Sequence, residues 1–362
     1  GYDVTCCFMR NWDSFANNDI AGNPTIKDDT CPQEQDYLDA LAVANHLDLP
    51  LQRVDFIEEY WDNVFKTFLS EYEKGRTPNP DILCNKYIKF DSFFEYAMKQ
   101  GFDKVATGHY ASNKEENDFT YLTRAKDQNK DQTYFLCQVE KSKIAKTIFP
   151  LANLEKPEIR QIASELNLES VATKKDSTGI CFIGERNFRQ FLSNYLPSKD
   201  GDIVDVNTGK VIARHVGVLY YTIGQRKGLN IDHEKGPWFV VGKDVVKNIL
   251  YVCRTDQRDL LYSDSCIVKG INWILPNLDE IPTKCTCKFR YRQKDQDIEI
   301  ERIDDTSVLV KYPQTIASVT EGQEAVFYDG DKCIGGGVIE EVFKDGKNLN
   351  QLIMETANGH RG

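Results

Sequence analysis

The spacing of the apolar residues changes near Gly201, and this change constrains the fold more than any other feature of the sequence. Before Gly201, strand-like apolar runs alternate with segments in which apolar residues recur at helical spacing, such as 33–47 and 58–71. After it, short alternating runs are separated by turn signals such as Asn207-Thr208-Gly209. The first pattern favours a parallel α/β sheet, and the second favours all-β units.

The sequence therefore predicts three domains and a tail. We expect an α/β domain over residues 1–197, a central β domain over 198–264 and a second β domain over 265–346. Residues 347–362 are expected to be loosely ordered, as chain ends often are.

Composition excludes several classes of protein. No run of about 18 apolar residues occurs, so the sequence predicts neither a membrane span nor a membrane partner. The 11 cysteines are too sparse for a disulfide scaffold and include no Cys-x-x-Cys pair, so we expect no metal site. This cysteine usage favours the cytoplasm, where thiols stay reduced. The net charge of −11 argues against a surface that binds nucleic acid everywhere, but it allows a local basic patch.

Cys84 is the first candidate for chemistry. It follows Pro78 and Pro80 in the segment 77–90, and two prolines at this spacing predict a rigid loop that turns into a helix at the cysteine. A helix N-terminus lowers the pKa of a thiol and so favours the reactive thiolate. The alternative is a buried structural cysteine, and Asp81 has the alternative role of a turn-forming residue.

Nine strings of the sequence occur in the order in which one known family has them. They are FMRNW (8–12), GRTPNPDILCNKYIKF (75–90), ATGHYA (106–111), NKDQTYFL (129–136), KKDSTGICFIGERNFRQFL (174–192), YTIGQRKGL (221–229), PWFVVGKD (237–244), KFRYRQ (288–293) and GQEAVFY (322–328). In these strings the chain resembles the tRNA-specific 2-thiouridylases, the MnmA/TrmU family. The resemblance extends from Gly1 to about Val342.

The resemblance implies a fold, an activity and partners. The family fold is a parallel-sheet N-type ATP pyrophosphatase domain followed by two small all-β domains, of which the last is a β-barrel. The activity is transfer of sulfur to C2 of uridine 34, the wobble base of tRNA, at the cost of ATP. The implied partners are tRNA and a sulfur-donor protein, either a cysteine desulfurase or a sulfur relay protein. ATP is expected with Mg²⁺.

The resemblance also assigns the catalytic residues. Cys181 would carry the persulfide, and Cys84 would release its terminal sulfur, which leaves a transient Cys84–Cys181 disulfide. Asp81 would act as a general acid or base near the target base, and Asn79 and Pro80 would shape its pocket. A disulfide requires the two Cα atoms to come within about 7 Å.

Further positions match the family's ligand contacts. Met9 and Gly108 match adenosine contacts, and both follow predicted strands at ends where α/β sheets bind ligands. The alternative for Met9 is core packing. The positions that match tRNA contacts are His109, Lys130, Asp131, Gln132, Arg290, Tyr291 and Gln323. We expect the RYRQK string to lie on an edge-like strand, where arginines neutralise phosphates and a tyrosine stacks on a base; the alternative for each residue is a solvated side chain.

One departure from the family concerns its phosphate-binding loop. The family begins with a strand and a Ser-Gly-Gly-Val-Asp-Ser loop, and this string does not occur in the sequence. We therefore expect an N-terminally truncated enzyme, with a catalytically impaired tRNA-binding or sulfur-accepting fragment as the alternative. A third hypothesis is another ATP pyrophosphatase, such as an amidotransferase-linked synthetase or tRNA lysidine synthetase, which would not need the two cysteines.

Overall fold

The computed structural model describes residues 1–19, 32–173, 188–231 and 236–360. The chain divides into two compact units, which are described separately here. Unit 1 comprises residues 1–67 and 80–195, and unit 2 comprises residues 68–79 and 196–362.

Unit 1 is an α/β unit whose elements follow one another along the chain. Its strands are β1 Cys6–Arg10, β2 Leu51–Asp55, β3 Val105–Ala106, β4 Ser112–Glu116, β5 Phe119–Thr123 and β6 Thr147–Ile148. Its α-helices are α1 Pro32–His46, α2 Ile57–Tyr60, α3 Lys66–Glu73, α4 Pro80–Cys84, α5 Phe93–Lys99, α6 Thr133–Leu136, α7 Lys141–Ala145, α8 Lys156–Glu165, α9 Glu169–Ala172 and α10 Phe188–Ser193, with α3 extending beyond the unit boundary. Two π-helical segments, Trp61–Phe65 and Asn85–Ser92, join α2 to α3 and α4 to α5.

Two described strand pairs of unit 1 are parallel, as predicted, whereas β4 and β5 form an antiparallel pair. β1 pairs with β2 in parallel, and β3 pairs with β6 in parallel. Helix α1 lies between β1 and β2 in sequence, as a parallel crossover requires. The predicted helices over 33–47 and 58–71 are confirmed, whereas the predicted helical stretch 141–170 is interrupted by β6.

An aromatic cluster forms part of the core of unit 1. Trp12 is 1% exposed and its ring lies 4.9 Å from that of Phe65, in an edge-to-face arrangement. The cluster also includes Tyr60, Trp61, Phe191 and Tyr195. Buried aromatic pairs of this kind add about 0.5–1.5 kcal/mol each beyond their area burial. The cluster fixes the loop that follows β1, because Trp12 belongs to that loop.

Unit 2 is built mostly of antiparallel strands. They are β7 Gly201–Asp205, β8 Val211–His215, β9 Trp238–Asp244, β10 Ile249–Arg254, β11 Tyr262–Trp273, β12 Lys284–Lys288, β13 Gln296–Arg302, β14 Val308–Ala317, β15 Glu324–Asp329, β16 Lys332–Lys344 and β17 Lys347–Asn348. Short 3₁₀ helices span Val218–Tyr220, Thr255–Gln257, Asp259–Leu261 and Leu278–Glu280, and the last helix is α11 Leu349–Gly359.

The strands of unit 2 form a small sheet and a closed barrel. The small sheet has the order β8-β7-β10-β9, in which β7 and β10 are parallel. The barrel has the order β11-β14-β13-β12-β15-β16, and β16 closes it by pairing with β11. The predicted change from an α/β region to all-β regions, and the barrel implied by the family resemblance, are therefore confirmed.

The prediction of a loosely ordered tail is wrong. Residues Leu349–Gly359 form α11, whose first turn is capped by Asn348: its side-chain oxygen accepts hydrogen bonds from the backbone N–H groups of Asn350 and Gln351. Ile353 is 1% exposed and packs so closely on β9 that a Cβ at Gly242 would lie 2.9 Å from its Cγ2. Burial of one helix face, rather than distance from the chain end, decides the order of this segment.

Candidate active site

The segment that carries Cys84 becomes helical earlier than the sequence predicted. Helix α4 begins at Pro80, because proline is well tolerated in the first helical turn, where its missing N–H leaves no bond unmade. Cys84 is the last residue of α4 rather than the first residue of a helix, so the prediction that it lies at a helix N-terminus is wrong. The helix dipole acts mainly on the first turn, and the charged residue there is Asp81.

Cys84 is completely buried. Its exposed fraction is 0%, whereas Asp81 is partly exposed. The predicted partner of Cys84, Cys181, lies outside the described residues, and so does the whole segment 174–187.

The helix that contains Cys84 is anchored to the segment after Gln132. The Nδ2 atom of Asn85 donates a hydrogen bond to the Phe135 carbonyl oxygen over 2.9 Å, and the Nζ atom of Lys86 donates to Oε1 of Gln138 over 3.0 Å. Asn85 is 2% exposed, so its bond to Phe135 is made in the interior. The sequence analysis missed both anchors, although Asn85 and Lys86 directly follow the cysteine in the string LCNK.

A second pair of hydrogen bonds joins the segment around Gln132 to the Gly-His-Tyr string. The backbone N–H of Tyr110 donates to Oε1 of Gln132 over 2.9 Å, and the backbone N–H of Gln132 donates to the Tyr110 carbonyl oxygen over 2.8 Å. The ring of His109 lies 5.8 Å from that of Phe90, which follows Cys84 in the same continuous helix. Residues 80–90 of the first string and the strings 106–111 and 129–136 are therefore brought together in unit 1.

Two residues predicted to contact tRNA are buried in this structure. Asp131 is 5% exposed, and its carboxylate accepts hydrogen bonds from the Ala125 N–H and, over 2.6 Å, from the Thr133 hydroxyl. His109 is 9% exposed, and its Nδ1 lies 3.1 Å from the hydroxyl oxygen of Thr107. Burial, with a smaller contribution from the Lys89 charge, holds the pKa of His109 well below its usual value, so the imidazole is neutral. Lys130 and Gln132 are partly exposed.

The carboxyl end of β1 has polar atoms that fit a bound ligand. Among the described residues, Nε of Arg10 and Oδ1 of Asn11 are buried with no hydrogen-bond partner. Nearly all buried polar atoms in proteins are hydrogen-bonded, so these two atoms are available to a polar ligand or to water. Met9 is half-buried beside them in the sequence. Gly108, which follows β3, is exposed, and a Cβ placed there would meet no atom within 4 Å.

The remaining predicted tRNA contacts lie in unit 2. The RYRQK string was predicted to lie on a strand, but β12 ends at Lys288 and Arg290 and Tyr291 lie in the turn that follows. Arg292 has a positive φ of 64°, which ends the extended backbone, so the strand prediction is wrong. The turn is stabilised by a hydrogen bond from the Phe289 N–H to Oε1 of Gln293.

Gln323 lies elsewhere in unit 2 and uses its side chain within the chain. Its Nε2 atom donates a hydrogen bond to the Thr77 carbonyl oxygen over 2.5 Å. Asn79, Thr77 and Gln323 all belong to unit 2, whereas Pro80, Asp81 and Cys84 belong to unit 1.

The described residues contain neither a metal-binding cluster nor a membrane-spanning helix. No group of three or more His, Cys, Asp or Glu side chains is placed so that it could hold a metal ion. No described helix combines the length and the apolar character needed to cross a membrane.

Comparison with known proteins decides the family. Three family models match in succession: the tRNA methyl transferase HUP domain over residues 1–185, the tRNA methyl transferase PRC-barrel domain over 189–254 and the aminomethyltransferase beta-barrel domain over 263–339. The tRNA-specific 2-thiouridylase MnmA of Mycoplasma capricolum is 56% identical over 352 residues, which cover 95% of this chain and 93% of the relative. The chain belongs to the MnmA family of tRNA-specific 2-thiouridylases.

Other MnmA relatives match to a similar extent. The protein of Mesoplasma florum is 54% identical, with 94% of this chain and 93% of the relative covered. That of Acholeplasma laidlawii is 52% identical, with 96% and 92% covered. These matches extend across both units. Relatives in the MnmA family therefore match the α/β unit as well as the small sheet and the barrel of unit 2.

Proposed function

We propose that this chain is a tRNA-uridine 2-sulfurtransferase, which transfers sulfur from a cysteine persulfide to C2 of uridine 34 in tRNA at the cost of ATP. The observation that carries this proposal is the 56% identity to a tRNA-specific 2-thiouridylase over nearly the whole chain. The joining of the Cys84 helix to the 106–111 and 129–136 strings in unit 1 supports it.

The reaction has to replace a carbonyl oxygen, which is a poor leaving group. In our proposal, O2 of the uracil attacks the α-phosphate of ATP, the co-substrate, and pyrophosphate leaves. Met9 and Gly108 would contact the nucleoside, and the unpartnered atoms of Arg10 and Asn11 offer further polar contacts at the end of β1. Mg²⁺ would neutralise phosphate charge. Asp81, partly exposed at the start of α4, would give or take the proton at the base, in a pocket shaped by Asn79 and Pro80.

The sulfur step uses both cysteines. The Cys84 thiolate attacks the inner sulfur of a persulfide on Cys181, the persulfide S–S bond breaks and hydrosulfide leaves, while a Cys84–Cys181 disulfide forms. Hydrosulfide then adds to C2 of the adenylated base, and AMP leaves with the former O2. An external dithiol reduces the disulfide, and a sulfur-donor protein in the cytoplasm reloads Cys181.

The proposed tRNA contacts are divided between the units. Lys130, Gln132 and the neutral His109 would contribute from unit 1, with Asp131 holding the turn that presents them. Arg290 and Tyr291 would contribute from the turn after β12, and Gln323 from the segment before β15.

The decisive experiment changes the cysteines one at a time. We expect Cys84→Ser and Cys181→Ser each to abolish formation of 2-thiouridine in a tRNA transcript supplied with ATP and a persulfide donor, measured by mass spectrometry of the digested RNA. Cys137→Ala is the matched control, since Cys137 is as completely buried in unit 1 as Cys84 and has no assigned role. Thiolation that survives both serine variants would refute the mechanism. Binding of tRNA without any ATP-dependent thiolation by the unaltered chain would favour the alternative, a tRNA-binding and sulfur-accepting protein.

A further inference from the structure

Unit 2 contains a cavity that the proposed chemistry does not use. Its volume is about 70 Å³, and the polar residues that line it include Lys243, Glu321 and Asn350. Much of the remaining wall is aliphatic and includes Val241 of β9 and Ile353 of α11. Lys243 belongs to the PWFVVGKD string, to which the sulfur-transfer mechanism gives no role.

Lys243 is an unusual residue to find in such a wall. It is 8% exposed, and its Nζ atom donates a hydrogen bond to the Tyr221 carbonyl oxygen over 2.8 Å. An ammonium group has three N–H donors, and among the described residues this is the one acceptor that Lys243 reaches. Burial lowers the pKa of Lys243 to about 8, against a weaker opposing effect of the Glu321 charge. The amine is therefore a buried cation, and two of its three N–H donors have no acceptor among the described residues.

Glu321 supplies the opposite charge in the same cavity without forming an ion pair with Lys243 among the described contacts. Burial raises its pKa, Arg76 lowers it, and the carboxylates of Glu341 and Glu340 raise it. The cavity therefore presents a buried amine with unused donors and a partly exposed carboxylate, and no ion pair between the two is present among the described residues. A ligand that carries both charges would satisfy both groups at once.

We propose that this cavity binds a small aliphatic amino acid as a zwitterion, with its carboxylate at Lys243 and its ammonium group at Glu321. Since a cavity needs roughly 10–15 Å³ to hold one water, its volume suits a ligand of about five to seven heavy atoms, such as glycine or alanine. The amide of Asn350 would add a polar contact, and the valine and isoleucine side chains would receive the methyl group. Binding would be independent of Cys84, because every residue of the cavity wall lies in unit 2.

Calorimetric titration of the full chain with L-alanine tests this proposal. We expect saturable binding of alanine and of glycine, and none of acetate or methylamine at the same concentration, because each of these carries only one of the two charges. We expect Lys243→Met and Glu321→Gln each to weaken binding about tenfold or more, since each removes a charge-assisted hydrogen bond.

Lys247→Met is the matched control. Lys247 lies four residues further along the same hairpin, its side chain is 61% exposed, and it takes no part in the cavity wall, so its loss should leave alanine affinity unchanged. The ligand comparison on the unaltered protein decides the matter even if Lys243→Met does not fold. Absence of alanine binding would show that the cavity holds water only, and equal binding of acetate would show a simple anion site; either result overturns the proposal.

Discussion

At the scale of single residues, burial determines which titratable groups carry a charge. His109 is 9% exposed and neutral in the folded protein, because burial and, to a smaller extent, the charge of Lys89 hold its pKa well below 6.5. In the unfolded chain the same imidazole takes up a proton near pH 6.5. The unfolded chain therefore binds a proton that the folded protein does not bind, so this residue lowers the free energy of unfolding at acidic pH.

A prediction about pH follows for His109. The contribution of the neutral imidazole is fully present above pH 6.5 and is lost as the pH falls below that value towards the lower folded-state pKa. We expect His109→Gln to reduce the loss of unfolding free energy between pH 7.5 and 5.5, measured by urea denaturation. The same substitution at His46, which is exposed on α1, is the control. An unchanged pH profile in His109→Gln would contradict the prediction.

Residue identity alone could not show which predicted site residues are buried. The sequence predicts a proline-rich loop before Cys84, and the structure has this loop up to Asn79. The helix begins at Pro80, however, and carries Cys84 into the interior, where it is 0% exposed. Its depth depends on packing against segments about 50 residues away, such as the Phe135 region that Asn85 contacts. Such non-local contacts leave no local signal in the sequence.

At the scale of elements, α11 shows that a chain end can be part of the core. Ile353 is 1% exposed, and Leu349 and Ala357, four residues to either side, are also buried. A spacing of four between apolar residues after a capping asparagine indicates a helix. The prediction of a loosely ordered tail gave more weight to the position of the segment at the end of the chain. For the RYRQK string the error is the opposite one, because here the sequence predicts a regular element that the structure lacks. Its alternating pattern predicts a strand, but the positive φ of Arg292 is incompatible with extended backbone.

Truncation of the buried face of α11 should destabilise unit 2. We expect Ile353→Ala to lower the free energy of unfolding by about 2–5 kcal/mol, since it removes buried methyl groups and leaves a cavity. Gln351→Ala, at an exposed position of the same helix, should change it by less than about 0.5 kcal/mol. Urea denaturation followed by far-UV circular dichroism measures both. Equal effects of the two substitutions would mean that α11 does not stabilise unit 2 through this face.

At the scale of the whole molecule, a net charge of −11 means that the proposed binding of tRNA would need a restricted basic surface. In our proposal the turn after β12 supplies this surface, and Arg290 and Arg292 are exposed in it, next to Tyr291. Each cation that neutralises a phosphate releases counterions, and this makes affinity depend on salt.

The salt dependence of tRNA binding should therefore report on Arg290. We expect Arg290→Ala to weaken binding and to reduce the slope of log affinity against log salt by roughly 0.7–0.9, the value for one phosphate contact. Arg214→Ala is the control, because Arg214 is exposed but forms an ion pair with Asp202 at 2.9 Å. Fluorescence anisotropy with labelled tRNA gives the slopes. A slope that Arg290→Ala leaves unchanged would remove this turn from the proposed interface.

The order of the strands in unit 2 could not be derived from local patterns. Alternating runs predicted many of the strands, but β16 pairs with both β15 and β11, and the second partner is about 70 residues away along the chain. The family resemblance supplied the barrel, whereas period-two patterning alone fits an open sheet equally well.

Closure of the barrel also affects the tendency of the protein to aggregate at high concentration. Each strand from β11 to β16 pairs with a neighbour on both sides, so none of these six is an edge strand. The free row of N–H and C=O groups on an edge strand is what allows one chain to recruit a strand from another and begin to aggregate. In the barrel, the most β-rich stretch of the sequence is thereby removed from strand exchange between molecules. Any tendency to self-associate through β-pairing must arise in other parts of the protein.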